Sequence, residues 1–321
     1  MTMVKPPALE RGDRVAVLAP ASPFTPEEFG EGLAEVRRLG FEPVYDDRVF
    51  ERDAYVAGSA ETRARAFVDA WTDPSVRAVL TARGGYGSVQ ILPFLSRDTL
   101  RATPKLLVGY SDITALLSFV TTRCGIVAVH GPTVTGRFAR GAEGYDRPSF
   151  LRTMCEAEPL GELTSPSLES LRTGEAEGIL VGGNLTQVTA SLGTPFAFDP
   201  PDRCVLFLED VNERPYRLDR MLTQLRQAGV LSRAAALVFG EMPGCDEPDG
   251  SFLARDAIAR CVHDFPGPVL IGLASGHTPH PALTFPLGVR ARIRGGARPA
   301  LMITEAAVSP RPGLQGSARM L

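Results

Sequence analysis

The sequence predicts an α/β fold built on a parallel sheet, and three observations carry that expectation. Short apolar runs such as "RVAVLAP", "VRAVLTA" and "KLLVGY" have the length and composition of buried strands. Segments of helical length separate them and bring their own start and stop residues. Strands alternating with helices form βαβ units, whose sheet is covered on both faces.

In chain order, "RVAVLAP" is the first buried strand. In "TPEEFGEGLAEVRRLG", Thr25 caps a helix, Pro26 takes its first turn, Glu28 completes a capping box and Gly40 supplies the stop. "FEPVY" is a short strand, and "SAETRARAFVDAWTDP" is a helix with Ser59 as cap and Pro74 beyond its end. "VRAVLTA", "KLLVGY" and "GIVAVHGP" are further strands. From about Gly136 to Glu177 the chain turns rich in Gly, Pro, Ser and charge, so the domain junction is expected there. The resulting division is an N-terminal α/β domain over 1–140, a linker over 141–176 and a C-terminal domain over 177–321. The second half opens with "EGILVGGNLTQVTASLGTP", in which Asn184 caps a short helix. The strand "CVLFLE" follows, then the helix "PYRLDRMLTQLRQAG", whose Leu218, Met221, Leu222 and Leu225 share one apolar face. "AALVFGEM", "PVLIGLAS" and "ALMIT" read as strands, and the tail "SPRPGLQGSARML" is expected to be flexible.

Composition excludes several function classes. The chain has 321 residues, 44% hydrophobic and 22% charged, ordinary values for a globular protein with a sizeable core. A formal net charge of −3 without a dense Lys/Arg run lacks the footprint of a nucleic-acid binder. No stretch approaches the roughly 18 apolar residues of a membrane helix, and prolines and charges break the N-terminus before a signal peptide could form. The five cysteines form no CxxC pair, so neither a disulfide framework nor a thiolate zinc site is indicated. A reduced, cytoplasmic setting is the expectation.

Nucleotide binding finds little support, because neither "ARGGYGSVQ" nor "VGGNLT" completes GxGxxG and no GxxxxGK[ST] exists. The first of these loops could instead aim backbone N–H groups at a negative oxygen, or simply make a tight turn. The four histidines are His130, His263, His277 and His280, and no HExxH or HxxEH is present, so no metal is expected. Nucleophilic catalysis remains. Ser111 in "VGYSDITALL" stands at a strand-to-helix turn, where the backbone N–H of Asp112 would favour a developing negative charge. Glu209 follows "CVLFL" and His277 comes shortly after "PVLIGLAS", so all three fall just beyond buried strands, where open α/β sheets place their sites. A nucleophile, a base and a carboxylate that orients the base form a charge-relay set. Plainer readings stay open: Ser111 as an N-cap, Glu209 as an arginine partner, Asp210 and Glu213 as a capping box, and His277 as a turn residue. Ser111 does not lie in GxSxG, since Ile113 occupies the last position.

At these residues the sequence resembles the LD-carboxypeptidases, or muramoyltetrapeptide carboxypeptidases, with the related microcin-immunity peptidases. "ARGGYGSVQILPFL", "KLLVGYSDITALL", "VHGPTV", "GGNLTQVTASLGTPF", "LFLEDVNERPYRLDRMLTQL" and "GHTPHPALTFPLG" carry the likeness in one order along nearly the whole chain. The resemblance implies a parallel-sheet N-terminal domain (flavodoxin-like or Rossmann-like) and a smaller C-terminal domain of mixed α/β character. It also implies a metal-independent and cofactor-free serine peptidase with Ser111, Glu209 and His277 as triad. The oxyanion donors it implies are the backbone N–H groups of Gly85 and Asp112. Gly84, Arg83 and Arg217 are candidates for substrate contact, with Arg83 and Arg217 (and Arg214) chosen by charge alone. The implied substrate is a muropeptide tetrapeptide losing C-terminal D-alanine during cell-wall recycling, and the implied assembly is a homodimer. Two alternatives are a microcin-immunity hydrolase of acyl or peptidyl adenylates and a non-catalytic peptide-binding protein on the same scaffold.

Overall fold

The computed structural model describes residues 3–311. The N-terminal stretch alternates as expected: β1 (Arg14–Leu18), α1 (Pro26–Arg38), β2 (Glu42–Val44), α2 (Ala60–Thr72), β3 (Val76–Thr81), α3 (Arg97–Ala102), β4 (Leu106–Gly109), α4 (Thr114–Ser118) and β5 (Ala128–His130). Local chemistry sets the ends. Thr25 Oγ1 accepts from the Glu28 N–H at 3.4 Å, and Gly40 leaves α1 at φ +99°, a conformation that glycine adopts without a Cβ clash. Ser59 Oγ accepts from the Thr62 N–H at 3.1 Å and caps α2, whose Phe67 and Trp71 stack in the core.

Residues 141–176 are not a bare linker. They hold α5 (Arg147–Cys155), β6 (Pro159–Leu163) and β7 (Glu169–Arg172). Polar, glycine-rich composition concealed them because β6 and β7 are edge strands with few buried positions. Then follow β8 (Gly174–Asn184), α6 (Leu185–Ala190), β9 (Cys204–Glu209), α7 (Pro215–Gln227), β10 (Ala234–Gly240), α8 (Ala254–Cys261), β11 (Val269–Leu273), β12 (Phe285–Leu287), β13 (Arg290–Gly295) and β14 (Ala300–Ala306). Of the tail expected to be flexible, 312–321 lie outside the described residues. Its start is tied down: Ser309 bridges to Pro7, and the Arg311 guanidinium pairs with Glu10 at 3.2 Å and with Asp13.

Two sheets result. The first has the order β12-β5-β4-β3-β1-β2, parallel except for β12. The second has the order β6-β14-β13-β8-β9-β10-β11-β7, with a parallel centre from β8 to β11 and antiparallel flanks. The parallel centres read as near-continuous apolar runs because both faces are covered. The sheets are not separate bodies. β12 leaves the second half of the chain to pair with β5, setting Phe285 opposite His130, and one buried cluster takes in Val129, Phe207, Phe285 and Ile293. The segment joining β11 to β12 is thereby strung from one sheet to the other.

Candidate active site

The carboxyl ends of the parallel strands converge. Asn184 closes β8 and pairs in register with Glu209, which closes β9. The backbone N–H of Asn184 donates at 2.9 Å to Thr114 Oγ1, at the head of the helix that follows β4. Gly183, at φ +145°, allows this approach: a Cβ there would lie 2.6 Å from Thr114 Oγ1. Of the two glycines of "VGGNLT", Gly183 therefore serves sheet-to-helix contact, while Gly182 lies against the backbone of Phe207 in β9.

Ser111 occupies the turn after β4 at φ +64°, a left-handed conformation that costs a non-glycine residue about 1–3 kcal/mol and clusters at functional sites. The strand-to-helix turn thus takes a strained shape without the GxSxG spacing. Gly84 makes room for it, since a Cβ there would sit 2.9 Å from the Ser111 Cβ. Gly85 follows at φ +95° beside Ser22, whose hydroxyl accepts from the Tyr86 N–H at 3.0 Å. Asp112 is the middle residue of a single tight turn, Ser111–Ile113, and its carboxylate does not cap that turn. It accepts from the Ser88 N–H at 2.8 Å, while the Ser88 hydroxyl donates to the Asp112 carbonyl at 2.6 Å. The glycine loop and the serine turn are locked together by this exchange. Burial pushes the Asp112 carboxyl up, opposed by hydrogen bonds from Ser88 and Gly87 and by the Arg63 charge.

His277 Nδ1 lies 2.8 Å from Glu209 Oε2, and the His277 backbone N–H donates to the same oxygen at 2.9 Å. Asn184 Nδ2 donates to Glu209 Oε1 at 3.3 Å and to Asp210 Oδ1 at 3.1 Å. Gly276, at φ +61°, lets the loop close onto the carboxylate, since a Cβ there would come within 2.5 Å of Glu209 Oε2. Glu209 is 1% exposed. Burial alone would raise its pKa, but the charge and hydrogen bonds of His277 outweigh that and hold the carboxyl below its usual range. Burial likewise opposes a charged His277, yet Glu209, aided by Asp210, holds its pKa above the ordinary 6.5. With Nδ1–H directed at the carboxylate, Nε2 is the nitrogen left to accept a proton.

Ser111, His277, Gly84, Gly85 and Arg83 line one cleft of about 350 Å³, together with Tyr110, Glu28, Thr133, Thr135 and Gly136. Ser111 Oγ and His277 make no hydrogen bond with each other in the structure, although both line the cleft. Arg217 is not among the lining residues. It lies on the exposed face of α7, 3.4 Å from Glu213 and 3.1 Å from the Tyr216 hydroxyl, because the helix turns residue 217 away from the sheet edge. Arg214 is paired with Glu247. Asp210 and Glu213 make no capping box, since Asp210 accepts from the Thr186 N–H at 2.9 Å. His277 and His280 diverge: His280 Nε2 lies 3.6 Å from Glu241. No group of three or more His, Cys, Asp or Glu side chains suited to a metal occurs among the described residues. No described helix is long and apolar enough to cross a membrane.

Sequence reasoning missed the second role of Asn184. Its Oδ1 does cap α6, accepting from the Gln187 N–H at 3.1 Å, but its amide also restrains both acids. The available signals were its place at the end of a strand, shared with Glu209, and its presence in "GGNLTQVTASLGTPF". Tyr110, which lines the cleft, stood in "KLLVGYSDITALL" without a role assigned to it, and Arg137, just behind the cleft, lay outside every motif.

Comparison with known proteins agrees with this layout. The LD-carboxypeptidase N-terminal domain matches residues 15–131, and the LD-carboxypeptidase C-terminal domain matches residues 177–293. The chain is 34% identical over 309 residues to a probable murein peptide carboxypeptidase of Bacillus subtilis, covering 95% of each. The muramoyltetrapeptide carboxypeptidase from Oxalobacter formigenes superimposes with a TM-score of 0.80 at 29% identity, over 93% of this chain and 100% of that one. A structure of MccF in complex with glutamyl sulfamoyl guanosine superimposes with a TM-score of 0.86 at 25% identity, over 95% and 99%. The chain belongs to the LD-carboxypeptidase family of serine peptidases.

Proposed function

We propose that this enzyme releases C-terminal D-alanine from muropeptide tetrapeptides, with Ser111 as nucleophile, His277 as base and Glu209 as the orienting acid. The carrying observation is the buried Glu209–His277 pair at 2.8 Å, facing a cleft that Ser111 enters from a strained turn. Ser111 Oγ attacks the carbonyl of the L,D-amide bond and passes its proton to His277 Nε2. The N–H groups of Gly85 and Asp112 hold the tetrahedral oxyanion; losing one such donor costs about 10²–10³ in turnover. His277 returns the proton to the leaving D-alanine nitrogen, and water then cleaves the acyl-enzyme by the same route. Glu209 stays ionised throughout and stabilises the imidazolium.

Arg83 and Gly84 lie where they can meet the substrate beside the nucleophile, with Arg83 offering a charge for the terminal carboxylate. Cytoplasmic recycling of cell-wall peptides suits this activity, and a homodimer is the assembly the family likeness suggests. The high TM-score against MccF keeps hydrolysis of an acyl-nucleotide conjugate as the second reading, although sequence identity is lower on that side.

The test is incubation with disaccharide-free tetrapeptide, disaccharide-linked tetrapeptide and an aminoacyl-nucleotide conjugate, following products by mass spectrometry. D-Alanine released by the wild type, and reduced roughly 10⁴-fold or more in Ser111→Ala, is the expected result. Cleavage of the nucleotide conjugate alone supports the second reading. Binding of tetrapeptide without any release makes the chain a peptide-binding protein.

A further inference from the structure

We propose that Arg137 is a positioning residue that fastens the His277 loop to the nucleophile's side of the cleft. The proposal rests on the Ser111–His277–Glu209 reading. Arg137 comes directly after Thr133, Thr135 and Gly136, which line the cleft, and lies behind them, only 5% exposed. Its Nη2 donates to the carbonyls of Gly276 at 2.5 Å and Thr278 at 2.8 Å. Its Nη1 donates to the carbonyls of Gly144 at 3.1 Å and His280 at 3.3 Å. The loop carbonyls on both sides of His277 thus converge on one guanidinium. No carboxylate pairs with it among the described residues, so carbonyl dipoles and the face of the Tyr110 ring compensate the buried charge.

The same group reaches the other half of the site. The Arg137 guanidinium carbon lies 5.8 Å from the ring centroid of Tyr110, which directly precedes Ser111. The Tyr110 ring meets the His277 ring edge-on at 5.0 Å. Only a planar fork with several donors can hold alternate carbonyls of a turn at once; a lysine supplies a point charge with less reach. The loop needs such an outside restraint, because Pro279 and Pro281 lack N–H donors. Charge gives a second signature. The groups facing His277 are Glu209 and Asp210 at the end of β9, which raise its pKa, and Arg137, which lowers it, with His130 of β5 nearby.

The test compares Arg137→Met and Arg137→Lys with the wild type. It measures kcat and KM for D-alanine release and, separately, the His277 titration by NMR. Arg137→Met is expected to lower kcat about 10–100-fold with KM within about threefold, since a displacement near 1 Å suffices for such a loss. Its His277 midpoint should move to higher pH. Arg137→Lys should bring the midpoint back while restoring only part of kcat. Should the methionine variant not fold, the lysine variant decides alone through its kcat. A raised KM with unchanged kcat would make Arg137 a substrate ligand and overturn the proposal, as would kcat and a titration that do not move. If the wild type is inactive on tetrapeptide, the substrate assignment fails, while a shifted His277 titration still supports the positioning role.

Discussion

At the scale of single residues, the Glu209–His277 pair decides how the site responds to pH. Glu209 raises the pKa of His277 through its charge and hydrogen bond, against the opposing effect of burial. A base works only when neutral, so kcat/KM should fall as pH drops through a midpoint above 6.5. Glu209→Gln removes the raising charge, so the midpoint should move to lower pH while the plateau falls about 10²–10⁴-fold. A pH profile of kcat/KM for both proteins checks this, and an unmoved midpoint counts against the pairing. The placement of Ser111, Glu209 and His277 at the carboxyl ends of strands was legible in the sequence because each comes at or after an apolar run that ends at the sheet edge. The left-handed backbone of Ser111 could not, since the glycine that makes room for it, Gly84, is distant in sequence.

At the scale of elements, the junction between α4 and β8 brings the turn that carries Ser111 against the strand pair that ends in Glu209. Asn184 N–H to Thr114 Oγ1, at 2.9 Å, is the hydrogen bond that makes it. Gly183→Ala would place a methyl 2.6 Å from Thr114 Oγ1 at a φ of +145°. We expect a loss of about 1–3 kcal/mol in stability, with a fall in kcat as the head of α4 is pushed away. Chemical denaturation measures the first and D-alanine release the second; an unchanged denaturation midpoint would show the contact to be loose. Strands and capped helices were legible because their signals are local: Thr25, Ser59 and Asn184 each cap the helix expected of them. The edge strands β6 and β7 were hidden because half-exposed edges carry no apolar run. The Asp112 carboxylate serves the loop at Ser88, a partner that sequence distance conceals.

At the scale of the whole molecule, the two sheets share a seam, and His130 lies in it. The ring stacks on Phe285 at 5.2 Å and meets Phe207 edge-on at 5.0 Å, with neither nitrogen hydrogen-bonded. Burial pushes its pKa down to about 4, with Glu209 opposing and His277 and Arg137 adding to the shift. The unfolded chain binds this proton near pH 6.5 and the native one near 4, so the unfolded state holds more protons between those values. Stability from the neutral ring is therefore full above about pH 6.5 and is lost as pH falls toward 4, by about 2 kcal/mol at pH 5. His130→Phe should remove that much of the stability difference between pH 7 and pH 5, whatever its effect on absolute stability. Urea denaturation at the two pH values tests it, and an identical pH slope in the variant contradicts it. The expected division into two domains missed this seam, because β12 crosses from the second half of the chain to the first sheet and composition does not mark the crossing.

Ser111 and His277 enter the cleft from different sheets, and the proposed reaction requires them to act as one unit. The most direct test is a double-mutant comparison of kcat for D-alanine release. Ser111→Ala, His277→Ala and the double variant should fall to the same floor, each about as low as the pair together. Losses that multiply in the double variant, or substantial turnover without Ser111, would contradict it.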